Sequence, residues 1–96
     1  MKKYKLFIDG EFTSSPNQQY FTSTNPFSGK AWAEIPQCSV DQVEQAVHAA
    51  RRALEGVWGR VSGFERGKLL NSLADLLSAD GDRMGRLETT DNGKVI

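Results

Sequence analysis

The chain has 96 residues, with twelve basic and twelve acidic side chains that cancel, so it is one small domain without the basic face of a dedicated nucleic-acid binder. No apolar run is long enough to cross a bilayer. Met1-Lys2-Lys3 leads into Tyr4, Lys5, Asp9 and Glu11 rather than into the hydrophobic core of a secretory leader. The one cysteine excludes an internal disulfide and fits a reducing, cytoplasmic compartment.

The first element predicted is a tight hairpin over Tyr4 to Phe12. Asp9-Gly10 stands between Leu6-Phe7-Ile8 and Glu11-Phe12, and that dipeptide suits a two-residue type I′ turn, whose central positions both need positive φ. Thr13 to Gln19 is polar, contains Pro16 and Asn17, and reads as a surface loop. Tyr20 to Thr24 is β-prone, Asn25-Pro26-Phe27-Ser28-Gly29 is a turn, and Ala31 to Ile35 returns as a second strand that Pro36 ends.

Helices follow. Ser39 caps the first, with Gln42 three residues on to complete a capping box, and Val40, Val43, Ala46, Val47, Ala50, Ala53 and Leu54 form its apolar stripe up to Gly56. Ser62 and Glu65 offer the same box to a second helix, whose broad apolar face comprises Leu69, Leu70, Leu73, Ala74, Leu76 and Leu77. Asp80-Gly81-Asp82 interrupts the pattern, and Asp82 is the expected cap of a last short helix through Asp91. In that helix Met84, Leu87, Glu88 and Asp91 share one face, and Gly93 is placed to stop it in a left-handed conformation. An aspartate near a helix C-terminus opposes the helix dipole, so something positive is expected beside Asp91: Lys94, a basic residue from elsewhere, or a bound cation. A domain of this length buries about 60 to 65% of its unfolded surface, which makes its stability alone modest.

Candidate chemistry is sparse. Cys38 lies in a connector next to the Ser39 cap, and the one histidine, His48, is ten residues on and on the polar side of its helix; Cys38 reads more simply as a small half-buried residue than as a nucleophile. No second histidine or cysteine is placed for zinc. Gly29-Lys30, Gly67-Lys68 and Gly93-Lys94 each lack the earlier glycine and the following Ser or Thr of a phosphate loop, and no strand is followed by G-x-G-x-x-G. Trp32 and Trp58 read as packing anchors. Glu88 and Asp91 read as groups that orient neighbouring backbone or pair with arginines, ahead of an acid/base pair; Asp91 as a cation ligand is the intermediate reading.

Five stretches taken in order resemble the aldehyde dehydrogenase superfamily near its N-terminus. They are Leu6 to Phe12, Asn25-Pro26-Phe27-Ser28-Gly29, Ala46 to Ala53 with Trp58, Glu65-Arg66 before the leucine-rich helix, and Leu87-Glu88-Thr89-Thr90-Asp91-Asn92-Gly93-Lys94. The resemblance implies an α+β fragment, two N-terminal β-hairpins (4–36) followed by three helices (39–92), with residues 1–96 the N-terminal portion of the larger α/β aldehyde dehydrogenase fold. It departs from the family at Val95, where proline is common, and at Gly85, where a better helix former is usual.

The complete oxidoreductase would use NAD or NADP to oxidise an aldehyde to a carboxylic acid. Its catalytic cysteine, general-base glutamate and nucleotide-binding segment lie beyond this chain. Cys38 does not match the glycine-rich motif of that cysteine, so no catalytic or cofactor-binding residue transfers. By position, the resemblance implies a monovalent cation (K+ or Na+) site formed by backbone carbonyls at Ser23 and Thr24 and by Asp91. The expected partners are the remainder of the polypeptide and, when complete, other copies of it in a homo-oligomer, with no nucleic acid or membrane. The rival is a free-standing truncated interaction module that docks on full-length subunits.

Overall fold

The computed structural model describes all of residues 1–96. Five short strands come first: β1 (Lys2–Lys3), β2 (Leu6–Ile8), β3 (Glu11–Thr13), β4 (Tyr20–Thr24) and β5 (Ala31–Pro36), with a 3₁₀ turn at Pro16–Gln18. Helices follow: α1 (Val40–Glu55), the single turn α2 (Val57–Arg60), α3 (Gly63–Ala79) and α4 (Gly81–Asn92). The α+β order is the one expected from the sequence.

β2 and β3 pair antiparallel across Asp9 (φ 52°) and Gly10 (φ 77°), the left-handed pair that a type I′ turn requires. β4 and β5 form the second antiparallel hairpin, with an irregularity between Ser23 and Thr24. Its turn is closed by Gly29 N–H donating to the Asn25 carbonyl at 2.9 Å and by Phe27 N–H donating to Asn25 Oδ1 at 2.9 Å. β1 adds a parallel edge to β5, with Lys2 opposite Ala33 and Lys3 opposite Glu34, which makes β5 the centre of a three-stranded sheet. Nothing in two lysines signals a strand; the pairing is imposed by the free edge of β5. Ala33, in that central strand, is fully buried.

The capping box of α1 forms in full: Gln42 N–H donates to Ser39 Oγ at 3.1 Å and Ser39 N–H to Gln42 Oε1 at 3.2 Å. In α3 only half forms. Glu65 N–H donates to Ser62 Oγ, but the Glu65 carboxylate turns to Lys68 at 3.7 Å instead of reaching back. Two further corrections fall in the helices. A turn of helix, α2, separates α1 from α3, and Gly59 within it presses on the end of α1 so closely that a Cβ there would lie 1.7 Å from the Leu54 carbonyl oxygen. And α4 begins two residues earlier than expected: Asp80, not Asp82, holds the cap position, while Asp82 sits inside the first turn. The Asp80 carboxylate makes no capping bond because Arg83 Nε occupies both of its oxygens at 2.9 Å.

The assembled chain is a thin plate, 47 × 35 × 15 Å, with a radius of gyration of 16.9 Å, where a compact domain of this length has about 13 Å. Its accessible surface is 7664 Å², against roughly 5,500 Å² for a compact globule of this mass. The stripes read from the sequence are present but bare: Leu69, Leu70, Leu73, Leu76 and Leu77 of α3 are 48 to 70% exposed. About half of the unfolded surface is buried, below the 60 to 65% expected. Three residues are buried, Ser15, Ala33 and Pro36, so the plate is the outer layer of a core it does not itself complete.

Candidate functional site

The face of α4 foreseen from its spacing looks onto the sheet. Met84, Leu87, Glu88 and Asp91 border a hollow of about 680 Å³ whose other side is built by Tyr4, Trp32 and Ile35. Tyr4 and Trp32 meet edge to face, with ring centroids 6.2 Å apart. Trp32 Nε1 is shielded from solvent and has no acceptor.

The C-terminal turn of α4 is fastened to the β4–β5 hairpin at two points. The Ser23 hydroxyl donates to Asp91 Oδ1. Gly93 stops the helix at φ 78°, its N–H donating to the Thr89 carbonyl at 2.9 Å, and its bare Cα leaves room for Pro26, whose Cγ would be 3.0 Å from a Cβ at that position. Asn92 Oδ1 accepts from Lys94 N–H at 2.8 Å and completes the turn. Thus Asn25-Pro26 and Asp91-Asn92-Gly93, far apart in sequence, form one contact.

The positive group expected beside Asp91 is not Lys94. Lys94 Nζ lies 3.5 Å from Glu88 Oε1, and no lysine or arginine pairs with Asp91. Asp91 is left with the Ser23 hydroxyl. Thr24 is the next residue along β4; of the two, Ser23 is the one hydrogen-bonded to Asp91. The Ser23 hydroxyl and the Asp91 carboxylate are oxygen groups, the type of ligand that hard cations take. No three His, Cys, Asp or Glu side chains cluster as a metal site.

Elsewhere the chemistry stays thin. Cys38 is half-buried, and its thiol makes a single contact, to the Ser39 carbonyl at 3.5 Å. His48 is exposed, as its place on the polar side of the helix implies, and with Gln45 and Arg52 it borders a polar groove against Ile8, Asp9, Glu11 and Thr13 of the first hairpin. That hairpin is tied to α1 by Arg52 Nη2 and Asp9 Oδ2 at 3.1 Å. Trp58 packs under Arg66, whose guanidinium carbon is 5.1 Å from the ring and whose Nη2 donates to the Trp58 carbonyl at 2.8 Å. Sequence spacing gave no sign of this clasp between α2 and α3, because α2 itself was not foreseen. Asp80 and Arg83 perturb each other: the hydrogen bond from Arg83 lowers the Asp80 carboxyl from its ordinary value, and the same bond raises the Arg83 guanidinium.

Short strands followed by helices, with bare apolar faces, make this an α+β fragment. The chain belongs to the aldehyde dehydrogenase family, whose sequence profile matches residues 12–96, and it corresponds to the N-terminal segment of that superfamily. Over 97 aligned residues it is 42% identical to the (Z)-2-((N-methylformamido)methylene)-5-hydroxybutyrolactone dehydrogenase of Acinetobacter baylyi, covering 100% of this chain and 20% of that protein. Among solved structures it superimposes on an NAD-dependent aldehyde dehydrogenase from Sinorhizobium meliloti with a TM-score of 0.91 and 32% identity, over 98% of this chain and 19% of that one. An NAD+ complex of the Bacillus cereus aldehyde dehydrogenase matches with a TM-score of 0.88 and 34% identity, over 95% of this chain and 19% of that one. The chain therefore spans about a fifth of the length of the relatives it matches.

Proposed function

We propose that this chain is the N-terminal structural layer of an NAD(P)-dependent aldehyde dehydrogenase. The complete enzyme takes an aldehyde, water and the oxidised nicotinamide cofactor to the carboxylic acid, the reduced cofactor and a proton. Residues 1–96 contribute no nucleophile, general base or cofactor contact; they cover the apolar faces of the rest of the polypeptide. The observation that carries this reading is the family match over residues 12–96, made by a chain that covers a fifth of its relatives. A free-standing interaction module is disfavoured, because such a module needs a core of its own and this plate buries only three residues.

The same reading makes Ser23, Thr24 and Asp91 a monovalent cation site in the complete enzyme, with carbonyl oxygens from β4 and the carboxylate from α4. Support comes from the Ser23–Asp91 contact and from an aspartate near the negative end of a helix that no basic side chain neutralises. Homo-oligomerisation and a cytosolic location complete the proposal; no helix of the chain is long and apolar enough to cross a membrane.

The test is to express the complete polypeptide and follow reduction of NAD and, separately, NADP with a panel of aldehydes. Thermal stability with and without potassium tests the cation site, and the Asp91→Ala variant must lose any potassium-dependent stabilisation. Absence of aldehyde-dependent turnover with both cofactors refutes the enzymatic reading; equal potassium responses in both proteins refute the cation site.

A further inference from the structure

We propose that the outer edge of β4 is paired, at Tyr20 to Thr22, with an extended stretch of the polypeptide outside residues 1–96; this rests on the reading of the chain as a segment of a larger aldehyde dehydrogenase.

The direction of the free backbone groups follows from the pairing of the strands. β5 is the middle strand of its sheet and β4 an outer one. Tyr4 N–H donates to the Glu34 carbonyl at 2.9 Å, so Glu34 turns its backbone groups toward β1. Peptide groups alternate along a strand, and those of Ala33 and Ile35 therefore turn toward β4. Phe21 stands opposite Ile35 and spends its N–H and C=O on β5. The N–H and C=O groups of Tyr20 and Thr22 then point away from the sheet, where β4 has no other strand beside it.

This edge lacks the devices that ordinarily keep an edge unpaired, which are charge, proline and shortness. β1 is two lysines long, β2 follows Lys5, and β3 begins at Glu11. β4 is Tyr-Phe-Thr-Ser-Thr, with neither charge nor proline and with aromatic and β-branched residues that favour pairing. Lys3 leans onto the Tyr20 ring at 4.1 Å, and Glu34 stands opposite Thr22 on β5, so the charges nearest to β4 come from the other two strands.

The open groups select the occupant. A helix laid along the edge satisfies its own backbone groups internally and would strand those of Tyr20 and Thr22 away from water. An extended segment offers them both donors and acceptors. The relatives have length to supply it, since the chain spans about a fifth of theirs. Pairing ends before Ser23 and Thr24, where the ladder is irregular and the Ser23 hydroxyl is held by Asp91. The proposed cation ligands thus lie outside it.

The deciding experiment is an experimental structure of the complete polypeptide that carries this segment. The expected result is a main-chain stretch from outside residues 1–96 with its N–H and C=O groups within hydrogen-bond distance of the Thr22 backbone. An edge open to water, an edge covered by a helix or by side chains alone, or β4 paired with a second copy overturns the proposal. A second readout is amide exchange of the same polypeptide in solution, resolved to single residues by fragmentation mass spectrometry. Thr22 N–H is expected to be protected as well as Phe21 N–H, which β5 holds. Exchange of Thr22 at the rate of an unbonded surface amide counts against it. Neither readout depends on turnover. An inactive polypeptide with β4 paired would refute the enzymatic assignment alone, and an active one with the edge open would refute this pairing alone.

Discussion

Ser23 and Asp91, 68 residues apart in the chain, share a hydrogen bond in which the serine hydroxyl donates to the aspartate carboxylate. It joins the last turn of α4 to the strand before the Asn25-Pro26 turn, beside the contact of Gly93 with Pro26. Without it, an exposed carboxylate at a helix C-terminus would have no partner within the chain. Hydrogen bonds to charged groups are worth about 1.5 to 3 kcal/mol when shielded, and this one is on the rim. Ser23→Ala in the complete polypeptide is expected to cost about 1 kcal/mol, read as a lower midpoint in urea. Ser23→Thr, which keeps the hydroxyl, should recover part of the loss. Equal losses in both would assign the effect to packing.

Of the glycines, Gly59 leaves the least room for a side chain. A methyl there would lie 1.7 Å from the Leu54 carbonyl oxygen, so α2 would have to move off the end of α1. Gly59→Ala is expected to destabilise by about 1 to 3 kcal/mol. Gly67→Ala makes the opposite case. It lies inside α3 with nothing within 4 Å of the added methyl, and helix propensity alone gives it a gain of up to about 1 kcal/mol. Thermal denaturation of the two variants should move in opposite directions.

The two serine caps are unequal. Ser39 has the full reciprocal box with Gln42, and Gln42 Nε2 also donates to the Ser14 carbonyl at 3.1 Å. Ser62 receives one bond, from Glu65 N–H. Loss of a cap costs typically about 1 kcal/mol; Ser39→Ala should cost more than Ser62→Ala, and the reverse order by chemical denaturation would contradict the geometry.

Asp80 and Arg83 make the α3–α4 junction sensitive to acid. The Asp80 carboxyl titrates below its ordinary value because Arg83 bonds its ionised form. A depressed folded-state pKa contributes stability that is complete above the unfolded value and is lost as pH falls through the folded one. The junction should therefore be indifferent to pH between neutrality and about pH 5, then weaken below about pH 4. Asp80→Asn should remove that acid-range component, as followed by amide exchange at Met84, whose N–H donates to the Asp80 carbonyl at 3.0 Å.

The parts of this fold that were legible in sequence are those set by local chemistry. Asp9-Gly10 specified a turn, Ser39 with Gln42 a helix start, and Gly93 a helix stop, each because one or two residues decide the backbone. The face carrying Met84, Leu87, Glu88 and Asp91 was legible from periodicity alone. What sequence hid was decided across the chain. β1 is a strand because β5 offers it an edge, not because of Lys2 and Lys3. Asp80 displaces Asp82 as the start of α4, and its carboxylate is drawn away from capping by Arg83. Lys94, adjacent in sequence to the helix-ending motif, goes to Glu88 and leaves Asp91 to a serine from the sheet. Side-chain pairing among several nearby charges is settled by geometry that no spacing rule supplies.

The most direct test of the account is turnover by the complete polypeptide beside residues 1–96 alone, each given aldehydes with NAD or NADP. The expected result is aldehyde-dependent formation of reduced cofactor and carboxylic acid by the complete polypeptide and none by the isolated segment. Turnover by residues 1–96 alone, or its absence from the complete polypeptide with both cofactors, would contradict it.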